Sequence, residues 1–324
     1  EDLCLLPVRH LPSHVLQPLR IMPTVSSAKP PFALRDLQWV ITSPFLLKDR
    51  PEPNLANHPE TAVLLARLTA DPSPLLGHLA TMPRSNLGRY FEQLVIFWLG
   101  NLPSVEIIGS NIRVYRDKRS LGELDLVFTQ GGWAYHWELA IKYYLNIGSG
   151  REEADFVGPL QKDNLARKLH RMYDHQLALP KWPETLEKLD ALGIGEISSH
   201  PWVKGRLFHP FGAGKRHLPE RIAKDSLSGD WLTIGELQSP RFQAVDRFLP
   251  LAKKRWITPE FYAGETAEGG PGDLADHLMR QFLSRPAPEL VALSNGSRTE
   301  RCFIAPDGWP VLSRKADDGQ EAGN

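Results

Sequence analysis

From Ser85 to Phe211 the hydrophobic period changes from 3.6 residues to 2 and back, and that order of periods limits the fold more than any other feature of the chain. "SNLGRYFEQLVIFWLG" (Ser85 to Gly100) sets Leu87, Phe91, Leu94, Val95 and Trp98 on one helical stripe, with Ser85 as a candidate cap and Gly100 as the stop. Three strand-like runs follow. They are "EIIGSNIRVYRD" (Glu106 to Asp117), "GELDLVF" (Gly122 to Phe128) and a run containing "HWELAIKYYL" (His136 to Leu145), separated by the turn-like "KRSLG" and "TQGG". Next come a long helical stretch, "GPLQKDNLARKLHRMYDHQLAL", with Pro159 near its start, and a last strand-like run, "PWVKGRLFHPF" (Pro201 to Phe211). The expected class is therefore α/β, with an α-β-β-β-α-β core over 85–215 as a mixed sheet flanked by helices. Residues 1–84 read as a helical N-terminal region packed on that core, with "HPETAVLLARL" as one helix among prolines. Residues 216–324 read as an irregular C-terminal elaboration with one helix, "DLADHLMRQFLS", and a disordered tail from about 315.

The acids in this pattern stand where acids are costly. Period 2 puts Glu123, Asp125 and Val127 on one face of the second strand and Leu124, Leu126 and Phe128 on the other. In the third strand His136, Glu138, Ala140, Lys142 and Tyr144 share a face. Pairing across "TQGG" then brings Asp125 and Glu138 together, and two adjacent carboxylates need a shared proton or a divalent cation between them. Glu92 is followed one turn on by Val95 and Ile96, so its carboxylate is expected to be half buried and to need a cation, a raised pKa or a route to the helix edge. His136 reads either as an ordinary strand histidine or as an extra base. Glu123, near its strand start, reads either as a site acid or as a partner of Lys118 or Arg119.

Composition removes several alternatives. Lys plus Arg and Asp plus Glu number 38 each, so only a local basic patch could argue for a polyanion. Such patches exist: Asn164, Arg167, Lys168, Arg171 and His175 gather on one side of the long helix, and Lys204, Arg206, Lys215, Arg216, Arg221 and Lys224 follow. Each reads equally as a solvated face. Trp231 and Trp256 read as core. The two cysteines, Cys4 and Cys302, stand far apart without metal-like spacing, no apolar run reaches the roughly 18 residues of a membrane helix, and the start lacks an export signal, so a cytoplasmic protein with no membrane is expected. No GxxxxGK[ST], GxSxG or HExxH pattern supports nucleotide hydrolysis, serine hydrolysis or zincin chemistry.

A helix Glu, then "GELD", then a strand with Glu and a downstream Lys, resembles the core of the PD-(D/E)xK nuclease superfamily over about residues 85–215. "GELDLVF" is similar to the "GEIDLI" strand of its Holliday-junction-resolvase-like members, whose next strand carries "VEVK". "LQWVITSPFLL" and "RCFIAPDGWP" also resemble a bacterial family termed domain of unknown function number eighteen fifty-three, which brings no activity. The superfamily likeness implies a restriction-endonuclease-like core and a Mg²⁺-dependent nuclease, with Mn²⁺ able to substitute, hydrolysing phosphodiester bonds of nucleic acid, expected to be DNA. It implies Asp125 and Glu138 as metal ligands, Glu92 as the helix carboxylate beside them and Lys142 as the catalytic lysine; the basic stripe of Arg167, Lys168 and Arg171, read from the helical wheel, is the expected nucleic-acid contact. One departure stands out: Glu138 and Lys142 are four residues apart instead of two, about 13 Å at roughly 3.3 Å per residue. The alternatives are a catalytically inactive nuclease-fold protein that binds nucleic acid, or an interaction scaffold whose acids form buried ion pairs.

Overall fold

The computed structural model describes residues 31–82, 86–258, 267–296 and 299–310; Cys4, Ser85 and the tail beyond 315 lie outside the described residues. Four helices precede the sheet: α1 (Phe32–Thr42), α2 (Pro59–Ala70), α3 (Ser73–Ala80) and α4 (Leu87–Gly100). In α4 the expected stripe is buried, with Phe97 and Leu99 added, and the cap is Asn86, whose side chain accepts the Arg89 N–H at 2.9 Å.

Three strands then run antiparallel: β1 (Val105–Arg116), β2 (Arg119–Gln130) and β3 (Trp133–Asn146). The β2–β3 turn is Gly131-Gly132 at φ 61° and 83°, a pair of left-handed residues that glycine adopts without cost and that matches the twist of a hairpin. After β4 (Phe156–Val157), the chain crosses through α5 (Leu165–Arg171) and α6 (Pro183–Asp190) to β5 (Ile197–Pro210), which lies parallel to β3 from Ala134↔Ile197 to Leu145↔Phe208. The long helix expected from Pro159 is shorter than its sequence suggested. It begins only after Asn164, which caps it, and ends in a π-helical turn, Met172–Gln176.

The sheet continues past residue 215 instead of giving way to irregular chain. β6 (Ser228–Thr233), β7 (Arg247–Pro250), β8 (Ala267–Glu268), β9 (Glu289–Ser294) and β10 (Thr299–Ala305) extend it to the order β1-β2-β3-β5-β6-β10-β9-β7-β8, with β4 paired to β3 off that path. Helix α7 (Pro271–Ser284) lays Leu274 and Leu278 on Val291, Leu293 and Ile304. Of these strands β9 and most of β10 are buried on both faces, so they carry no alternation in sequence.

The two faces of the sheet have separate cores. On one, α1 and α4 cover Trp137, Leu139, Ile141 and Tyr143, and Trp137 stacks on Trp202 at 4.3 Å between ring centroids. Trp231 and Trp256 are buried there, as their apolar bulk demands. On the other, Leu165, Leu169 and Met172 cover Ala140, Tyr144, Val203 and Leu207. Leu124 departs from strict alternation, packing with Val114, Val127 and Leu179 instead of Leu126 and Phe128. The irregularity lies beside Gly122, where an added Cβ would meet Leu179 at 2.9 Å. Among the described residues no helix is long and apolar enough to cross a membrane.

Lys204, expected in a basic surface, is instead fully buried between Phe45 and Trp202, and its ammonium donates to the Ser43 carbonyl at the end of α1. Burial lowers its pKa to about 7. The unfolded chain holds that proton to about pH 10, so the folded state binds fewer protons above neutrality and stability should rise with pH across that window. Lys204→Met is expected to flatten this rise in urea unfolding at pH 7 and 9.5. An unchanged slope would show that the ammonium is hydrated.

Candidate functional site

The β2–β3 ladder runs from Gln130↔Trp133 to Leu126↔Trp137 and stops there. Asp125 and Glu138 are the next residues on each strand, and their carboxyl groups meet where the strands part. Asp125 Oδ2 accepts the Leu139 N–H at 2.9 Å, so a side chain takes an amide that would otherwise lie open at the end of the ladder. Glu138 is 1% exposed. Its Oε1 accepts from Gln176 Nε2 and lies 3.5 Å from Lys168 Nζ, while its Oε2 receives no N–H or O–H. Burial, and then the neighbouring Asp125, push the Glu138 carboxyl well above the usual range; burial raises Asp125 as well. Such a pair holds a proton at pH values where exposed carboxylates have lost theirs, unless a cation takes its place.

The cation that reaches Glu138 is Lys168 from α5, not Lys142 from β3. Lys168 stands three residues after Leu165 and four before Met172, both buried, so helical spacing already sets it at the edge of the face laid on the sheet; the π turn, with the Leu177 N–H on the Met172 carbonyl at 2.8 Å, then brings Gln176 to Lys168, Nζ to Oε1 at 3.0 Å. Burial lowers the pKa of Lys168, and the Glu138 carboxylate opposes that shift. Lys168 was expected beside Arg167 and Arg171 on an outer face, but its side chain is 16% exposed and turned to the sheet. Lys142 instead makes an ion pair with Asp163 at 3.3 Å, and the same Asp163 oxygen accepts from the Tyr144 hydroxyl at 2.9 Å.

Glu92 approaches from α4. Burial and the Asp125 charge raise its pKa, while Arg89 bonds to it at 3.2 Å and also to Asn111 at 2.9 Å. Asp125 is thus the neighbour shared by Glu92 and Glu138. Glu123 pairs with Arg113 across the β1–β2 rung at 3.1 Å, and not with Lys118 or Arg119, because period 2 aligns positions directly opposite in the ladder. His136 is buried, its Nδ1 lies 3.3 Å from Ser199 Oγ, and burial brings its pKa down to about 4, so it stands neutral. Arg167 and Arg171 are exposed, the former with a bond to the Lys162 carbonyl. In the second basic region Arg221 is tied to Glu153 and Arg216 to Asp230.

Gln176 carries no signal in the sequence; only the π turn brings it to Lys168 and Glu138. A cleft of about 710 Å³ lies at the start of β5, lined among others by Arg50, Tyr173, Lys181, Ser199 and His200; Asp125, Glu138 and Glu92 do not line it. Among the described residues no three His, Cys, Asp or Glu side chains stand together as a ready metal cage. Two carboxylates with one oxygen undonated still suit a hard cation that keeps several waters, since magnesium is commonly held by one or two carboxylates plus phosphate.

The model of a family described as Domain of unknown function (DUF1853) matches residues 35–305. Among curated proteins and solved structures nothing matches the chain.

Proposed function

We propose that this chain, which belongs to the DUF1853 family of domains of unknown function, is a Mg²⁺-dependent nuclease with a restriction-endonuclease-like core. One observation carries the reading: a buried and a half-buried carboxyl group, adjacent on neighbouring strands and one with an undonated oxygen, stand within reach of a single lysine. The order of α4, the β1–β2–β3 meander, α5 and the parallel β5 supports the core assignment.

A bound divalent cation would polarise a phosphodiester and lower the pKa of a coordinated water. Asp125 and Glu138 supply its oxygens, with the Leu139 N–H fixing the first and Gln176 the second. With a cation held there, Lys168 would be the residue to offer its ammonium to a phosphate, since a point charge on a flexible stem cannot compete for the ion's ligand sphere. Glu92 contributes from the outer side through water. Lys142, tied to Asp163, stands one step farther out.

A second reading has its own support: Lys168 and Gln176 already satisfy one Glu138 oxygen, so a protein that binds nucleic acid without cutting it could use the ammonium in place of a metal. Calorimetric titration with Mn²⁺ and Mg²⁺, alongside nicking of plasmid, branched and single-stranded DNA and of RNA, separates the two. Cleavage with metal binding supports the nuclease; polyanion binding with neither supports the inactive binder; absence of all three leaves the acids as structural ion pairs.

For the nucleic-acid face, Arg167→Glu with Arg171→Glu is expected to weaken DNA binding and lower the slope of log affinity against log salt by about 2, one per lost phosphate contact. An unchanged slope in fluorescence anisotropy would assign that face to solvent.

A further inference from the structure

At the start of β6 and β10, away from the paired acids, a pocket of about 350 Å³ is lined by four arginines: Arg206, Arg216, Arg241 and Arg301. Only two carboxylates line it with them, and both are already engaged. Asp230 takes Arg216 and, at 3.1 Å, Arg241; Glu300 takes Arg241 at 2.9 Å. Among the described residues no carboxylate pairs with the other two. Arg206 gives a bond to the Ser228 carbonyl at 2.8 Å, and Arg301 bonds to the carbonyls of Trp256 and Ile257.

An excess of two positive charges in a partly enclosed space is unfavourable by the same physics that sets Asp125 against Glu138. Arg301 is 8% exposed, and burial together with the nearby Arg206 brings its pKa down to about 10. Carbonyl oxygens accept hydrogen bonds from these guanidiniums but carry no countercharge, and Asp36 acts on Arg301 only at a distance, without an ion pair. The lining adds hydroxyl donors: Ser228, whose Oγ already accepts from Arg216 at 3.3 Å, and Thr299. A planar guanidinium fork with hydroxyls beside it fits a tetrahedral oxyanion, and a volume near the lower end of small-molecule sites leaves room for more than the bare ion.

We propose that this pocket is a binding site for the phosphate group of a small phosphorylated molecule. It is separate from the nuclease reading and needs no metal. Inorganic phosphate and ribose 5-phosphate are expected to bind the full-length chain in a one-to-one, saturable manner by calorimetry in EDTA, whereas ribose does not bind. Arg206→Gln should weaken both about ten-fold, the usual size of one charge-assisted contact; Arg206→Lys should recover part of the loss. Arg216→Gln, at a more exposed position, should also weaken binding if Arg206→Gln fails to fold, because it removes one of the four positive charges. Asp125→Asn, remote from the pocket, should leave phosphate binding unchanged even if it abolishes cleavage. Tighter binding of ribose 5-phosphate than of phosphate would identify an organic phosphate; equal binding would identify the free anion. The proposal is overturned if neither probe gives a saturable isotherm, if Arg206→Gln and Arg216→Gln bind phosphate as the unmodified protein does, or if only an unphosphorylated DNA oligomer competes for the site.

Discussion

Asp125→Asn is expected to abolish Mg²⁺-dependent cleavage and, at the same time, to make the metal-free protein more stable. Asn has the shape of Asp, and its carbonyl still accepts the Leu139 N–H. Its NH₂ supplies at every pH what the native pair has only while it shares a proton, a donor toward Glu138. A repulsive pair thus becomes a hydrogen-bonded one, worth about 1 kcal/mol and roughly 2 °C in melting temperature for a chain of this size. The gain should depend on pH with a defined sign. Both Asp125 and Glu138 have raised pKa values in the fold, so between their ordinary values near 4 and their raised ones the native state binds more protons than the unfolded chain. Their contribution is present at low pH and lost as pH rises through the raised values. The advantage of Asp125→Asn should therefore be largest at pH 7 and above and fade toward pH 4. Cleavage that survives the substitution would end the metal-site reading; a variant less stable than the native protein at pH 8 would show that the pair is not in conflict. Stability kept below its optimum at a site arranged for function is the general expectation.

The second large effect concerns the lysine. Lys168→Met should lower cleavage by roughly 10²-fold or more if its charge acts on the phosphate, whereas Lys142→Met, in a side chain tied to Asp163, should cost far less. Stability should separate them too. Lys168→Met leaves Glu138 buried without its cation, and breaking such a pair costs about 3–5 kcal/mol, reduced here because Glu138 can take a proton. Glu138→Gln combined with Lys168→Met should restore most of that loss, since no buried charge remains. Cleavage rates and urea unfolding of the four proteins test this; a greater loss of rate in Lys142→Met than in Lys168→Met would return the role to β3.

Much of the framework was legible because periodicity reports burial. The stripe of α4, the meander and its Gly131-Gly132 turn follow from patterns of 3.6 and 2 and from residues that tolerate left-handed backbone. The half-buried state of Glu92 could be read from Val95 and Ile96. Other features had no local signal. Lys204 looks like any basic residue beside Gly205 and Arg206, and only its three-dimensional setting between Phe45 and Trp202 makes it interior. Among the C-terminal strands, β9 and β10 carry no local signal because a strand covered on both faces shows no alternation.

The sequence by itself determined that an acid-bearing meander follows an amphipathic helix, and that Asp125 and Glu138 occupy facing positions across one hairpin, because both are matters of spacing along the chain. Which cation reaches them was decided only by the tertiary structure. On a helical wheel Lys168 lies between the exposed Arg171 and the buried Leu165 and Met172, so spacing alone leaves it open to either side. In the fold α5 is pinned on the sheet by Leu165, Leu169 and Met172, and a π turn then brings Gln176 round to meet Lys168. That pinning carries Lys168 inward to Glu138, while Lys142, four residues along the strand, is drawn off by Asp163, a contact that joins separate segments of the chain and that no local period encodes.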